Sequence, residues 1–194
     1  MNDFSLYFKL GLEHVLDLQG YDHALFLIAL AITFQIKDWK RLLGLVTFFT
    51  LGHTLSLYLA SKGILPISAG IIEILIPATI FATAAYVLYT SWKNVSAHGN
   101  NWVLWGSTLL FGLIHGFGFG RYYNQINDEG GFTPLLSFAL GIELAQILIV
   151  IGVLLVGAFF SLLKVRKSIV VVVVSAIIVL VSGYMTVERC LEYF

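Results

Sequence analysis

Long apolar runs, each broken by one short polar motif, dominate this chain. Six stretches are mainly apolar over, or nearly over, the roughly 17–25 residues a helix needs to cross hydrocarbon. They are about Tyr21–Ile36, Leu42–Ala60, Ile67–Tyr89, Trp102–Gly120, Pro134–Leu163 and Ile169–Val187. The first is the shortest, and Asp22 and His23 stand at its start. Ahead of it, Phe4, Phe8, Leu12 and Val15 recur at helical spacing, with Lys9, Glu13 and Asp17 on another face. That pattern predicts an amphipathic helix over 4–18, interfacial or re-entrant, separated from the first span by Gln19-Gly20. The expected fold is an all-α, polytopic membrane helix bundle. It has about six transmembrane helices plus the N-terminal helix, in a single transmembrane domain over 1–194.

Composition agrees with the pattern. Of the 194 residues 59% are hydrophobic and 11% charged, against about 25% charged in a soluble domain. Most of the surface must therefore face lipid, the first expected partner. Formal net charge is zero, which gives no sign of a nucleic-acid partner. Cys190 is the one cysteine, so neither an intrachain disulfide nor a cysteine-based zinc cluster is available. The N-terminal segment lacks a basic start and a long apolar core, so insertion is expected through the first true span rather than a cleaved signal.

Charge in the short loops predicts orientation. The 1–2, 3–4 and 5–6 loops hold Lys37, Lys40, Arg41, Lys93, Lys164, Arg166 and Lys167; the other side holds Lys9, Lys62, Arg121 and Arg189. Seven cations against four place the first group in the cytoplasm and both termini outside, periplasmic for a protein of an inner membrane. With that topology, Asp22, His23, His53, Glu73, His115 and Glu143 all fall in the outer half of the bilayer.

An ionisable side chain inside a membrane is costly and marks a functional site by default. Imidazole and carboxylate together are the usual ligands of divalent transition metals. The candidate metal ligands are His14, Asp22, His23, His53, His115 and Glu143. Asp22 and His23 are adjacent in HVLDLQGYDH and diverge by about 100° on a helix, so one could ligate while the other orients or caps. Thr50, His53 and Ser56 share one arc of the second span; the hydroxyls could equally bond back to their own helix. His115 adjoins Gly112, Gly116 and Gly120, whose four-residue spacing lets a neighbouring helix approach closely. Glu143 and Gln146 share a face of the fifth span. Glu73 either reaches the same cavity or pairs with Lys62 at the surface. His98, in a loop, is expected to stand outside the site.

With these motifs in place, the chain resembles the HupE/UreJ family of hydrogenase- and urease-linked, nickel-permease-like membrane proteins. GYDHALFL, LGHTLS, FGLIHGFGFG and GIELAQ carry the resemblance in order across nearly the whole chain. Thr54 and Ala145 depart from it, where Ser and Gly would be expected. The resemblance implies uptake of a divalent metal, Ni²⁺ or Co²⁺, handled by Asp22, His23, His53, His115 and Glu143.

Three functions fit the residues. A permease would capture a transition metal, Ni, Co or Zn, from outside, though the apolar inner halves of the fifth and sixth spans offer little onward route. An intramembrane Zn-type hydrolase would use Glu143 or Asp22 as general base, by architectural analogy with the ceramidase/adiponectin-receptor group. A metal-binding accessory or sensor protein would neither transport nor turn over substrate.

Overall fold

The computed structural model describes residues 3–17, 20–64, 67–93, 101–126 and 132–194. Seven α-helices follow one another: α1 Asp3–Leu16, α2 Asp22–Ala31, α3 Trp39–Ser61, α4 Ala69–Trp92, α5 Asn101–Ile126, α6 Phe132–Leu162 and α7 Lys167–Tyr193. A short 3-10 turn, Ile36–Asp38, leads into α3. Five of them, α3 to α7, are long and apolar enough to cross a membrane.

The first expected span is shorter than its hydropathy suggested. Apolar residues run on to Ile36, but α2 stops at Ala31 after ten residues. At ~1.5 Å per residue it covers only about 15 Å, half the hydrocarbon thickness. The Thr33 hydroxyl bonds back to the Leu30 carbonyl. Lys167 Nζ donates to the Thr33 and Phe34 carbonyls, at 3.0 Å for the latter. That long-range cap satisfies backbone groups left open beyond the helix end.

α1 is also too short to span, at 14 residues. One face of it is packed tightly on α6 and the other is exposed. Gly11 lies against the Phe138 carbonyl and Ile142, and Gly141 lies against the Phe8 carbonyl and Leu12. A methyl group on either glycine would clash with the facing backbone, so α1 and α6 touch main chain to main chain. Two incomplete helices thus pack on complete ones, α1 along α6 with Phe4, Lys9 and Glu13 left exposed, and α2 against α4 and α6. Non-helical backbone at membrane depth is tolerated where protein buries it.

The frame is set by two further pairings. α3 and α5 run parallel and in register: Gly44 faces Trp105, Gly112 faces the Phe49 carbonyl, Gly116 faces His53 and Ser56, and Gly120 faces Ala60. The glycine series is therefore a packing surface. α4 and α7 run antiparallel, with Gly70 against Tyr193 and Gly183 against Phe81. α2 packs against α4 and α6, and its Phe26 stacks on Phe111 of α5 at 3.8 Å between ring centroids.

Candidate metal centre

The break between α1 and α2 brings two polar motifs to one point. His14 lies in the last turn of α1, and Asp22 and His23 open α2. Parallel packing of α3 on α5 places His53 and His115 beside them, because Gly116 lets the two helices close on the turn that carries both. The ring centroids of His14, His53 and His115 lie 4.9, 6.4 and 4.3 Å from that of His23. Four helices contribute four imidazoles to one cluster.

Two groups within the cluster have the spacing of metal ligands. In His14/His23/His53, and again in Asp22/His23/His115, one donor atom from each residue lies within 4.8 Å of the others. His23 belongs to both. The surroundings are dry: His53 is 0%, His23 2% and His115 4% exposed. Phe49, Phe111, Phe119 and Phe138 ring the histidines.

The hydrogen-bond pattern leaves this polarity unsatisfied. His14 Nε2 and both ring nitrogens of His23 and His53 are buried with no hydrogen-bond partner. A buried polar atom without a partner costs about 1–3 kcal/mol, so five together are a heavy burden for the fold. His115 has the opposite difficulty. Its Nδ1 lies 3.3 Å from the Phe111 carbonyl and its Nε2 3.3 Å from Asp22 Oδ2. Both partners are acceptors, yet a neutral imidazole carries one N–H. Asp22 Oδ1 also accepts from the His23 backbone N–H at 3.2 Å and lies 3.6 Å from His23 Nδ1. A cation among these atoms would take one nitrogen of each imidazole and relieve His115 of its surplus acceptor. Imidazole nitrogen with one carboxylate suits nickel, cobalt or zinc rather than magnesium or calcium.

A cavity of about 240 Å³ leads to the cluster, lined by His14, Asp22, His23 and His115 and, farther out, by Asp17 and Glu73. Glu73 is 56% exposed at its side chain and pairs with Arg189 at 3.8 Å, not with Lys62. His53 does not line this cavity and so lies deepest.

Glu143 stands apart from both ligand groups. Its carboxylate accepts from Thr47 Oγ1 at 2.6 Å and from Thr50 Oγ1, about two turns and one turn along α3 from His53 respectively. Gln146, on the same face, is fully buried with neither amide atom hydrogen-bonded, so it does not orient Glu143. Ser56 bonds back to the Gly52 and His53 carbonyls, as the backbone alternative required. His98 lies outside the described residues. Thr47 is not among the expected site residues, although 47, 50, 53 and 56 form one helical series. Nor is Asp17, in the same motif as His14, although it lines the cavity.

Fold and site together define a multi-pass helical membrane protein with a dry pool of histidines suited to a divalent transition metal. The family described as HupE / UreJ protein matches residues 1–189, and the chain belongs to it. That membrane family is nickel/cobalt-transporter-like. No curated protein and no solved structure matches the chain significantly.

Proposed function

We propose that this protein is a permease for a divalent transition metal, Ni²⁺ or Co²⁺, captured from outside the cell membrane by His14, Asp22, His23, His53 and His115. One observation carries the reading: five buried ring nitrogens without hydrogen-bond partners share one dry cluster with a carboxylate. Cargo suits this arrangement because two ligand groups share His23. The ion enters past Asp17 and Glu73, is first held by Asp22, His23 and His115, and passes inward to His14, His23 and His53. Thr50, Thr47 and Glu143 form the next polar layer along α3 and α6, the direction a translocated ion must take.

Broken helices support the same reading. Membrane transporters build ion sites where spanning helices are interrupted, with carbonyl-bearing helix ends turned toward cations. Here the end of α1 and the start of α2 meet at the histidines. A hydrolase has less support, because Asp22 is engaged by two histidines and Glu143 lies outside both groups.

The test is accumulation of Ni²⁺ and Co²⁺ in cells expressing the protein, beside the metal bound by purified material. Expression should raise accumulation, and the His53→Ala/His115→Ala double variant should lose both the gain and the bound metal. Bound metal without accumulation would sink transport while leaving the site. Neither property in the wild type would sink both.

A further inference from the structure

At the far end of α2 from Asp22 and His23, a cavity of about 380 Å³ lies between α2, α6 and α7. Ile32, Val153, Leu154 and Val170 give it an apolar wall, beside Gln35 and Ser161, and its end carries Lys37 and Lys167. Gly157 of α6 lines it, and a Cβ built there would meet nothing within 4 Å. This glycine has neither a close helix neighbour nor a positive φ to explain it. Its effect is to keep a groove open along the wall.

Charge is concentrated at the same place. Residues 35–41 and 163–167 contain Lys37, Lys40, Arg41, Lys164, Arg166 and Lys167 against Asp38, six cations to one acid. Asp38 is already engaged, its carboxylate accepting the Gln35 backbone N–H at 3.0 Å. Trp39, 53% exposed beside this cluster, suits the membrane interface, where tryptophan collects. An apolar cleft at bilayer depth has no water to fill it, and its basic end needs an anion. One amphiphile meets both requirements.

We propose that this cleft binds an anionic phospholipid, an acyl chain lying in the groove past Gly157 and the phosphate meeting Lys37 and Lys167. Basic pockets between membrane helices select such headgroups, each lysine near the surface contributing about 1 kcal/mol. A zwitterionic lipid brings its own cation to the same lysines and binds less well. Lys167 already ties the end of α2 to the start of α7, so the bound lipid braces that junction.

Native mass spectrometry of the purified protein with added phosphatidylglycerol or phosphatidylcholine tests this. The wild type should retain phosphatidylglycerol preferentially. Lys37→Gln should cut that retention about fivefold, the equivalent of ~1 kcal/mol. Gly157→Leu, whose Cβ would meet nothing within 4 Å and whose side chain would fill the groove, should abolish it; thermal stability of both variants checks folding. Equal retention of the two lipids, or undiminished phosphatidylglycerol on Gly157→Leu, would overturn the proposal. So would complete displacement by inorganic phosphate, which marks a simple ion site. A dimer that Gly157→Leu abolishes, with no lipid on the wild type, would assign the groove to a second copy instead.

Discussion

Asp22 of α2 reaches His115 of α5 across 93 residues of sequence, Oδ2 to Nε2 at 3.3 Å, while His115 Nδ1 faces the carbonyl of Phe111. An imidazole between two acceptors is satisfied either by a second proton or by a cation shared with the carboxylate. The same carboxylate touches His23, which belongs to both ligand groups. Asp22 is therefore where the charge balance of the cluster is set.

Asp22→Asn tests that position. The amide keeps the shape and removes the charge, so Ni²⁺ affinity should fall. Losses of a ligand's charged partner typically run to about 10–100-fold. Isothermal titration of purified variant and wild type measures it. Unchanged affinity would show that the Asp22 carboxylate does not help hold the ion.

Acid should release the ion. Protons and metal compete for the same ring nitrogens, since a ligating histidine must be neutral. Affinity should therefore be flat over the pH range in which these rings are neutral and fall as acid protonates them. Where several imidazoles must each lose a proton, log Kd should change by more than one unit per pH unit. A titration series across that range checks the sign and slope; a Kd that ignores pH would remove the histidines as ligands.

Much of this was visible in the sequence, and the exceptions share a cause. Hydropathy placed α3 to α7 near their observed bounds because a span must match the bilayer and each ends in polar residues. That His53 and His115 stand at one level could also be read, since both come late in two parallel helices. The first span failed because Ile32 to Ile36 continues the apolar pattern while Lys167, more than 130 residues away, caps the chain as it turns. The docking of α1 was hidden too. Gly11 and Gly141 reveal it only once they are known to face each other. Glu143 was grouped with the histidines by depth, but its facing threonines on α3 hold it one layer beyond them.

The glycines of α5 divide into two classes with different expected costs. A methyl group at Gly116 would collide with Ser56 Oγ and the His53 carbonyl, whereas one at Gly106 would meet nothing within 4 Å. Overpacking a close contact costs about 1–3 kcal/mol or more. Gly116→Ala should therefore lower the melting temperature in detergent and weaken metal binding by spreading His53 from His115. Gly106→Ala should match the wild type in both. Equal behaviour of the pair would show that the α3–α5 contact is not as tight as described.

Glu143 offers a way to separate holding an ion from moving it. Its carboxylate is bonded by Thr47 and Thr50 rather than pooled with the imidazoles. Neutralising it should leave the first capture step intact, and Glu143→Gln should bind Ni²⁺ within about twofold of wild type, under ~0.5 kcal/mol. Uptake should nevertheless drop, because an ion leaving His53 along α3 would meet no negative charge in the next layer. Binding by titration and transport by accumulation, measured on the same variant, make the comparison. Loss of binding in step with transport would return Glu143 to the ligand set. Preserved transport would mean that the ion leaves the histidines by another face of the bundle.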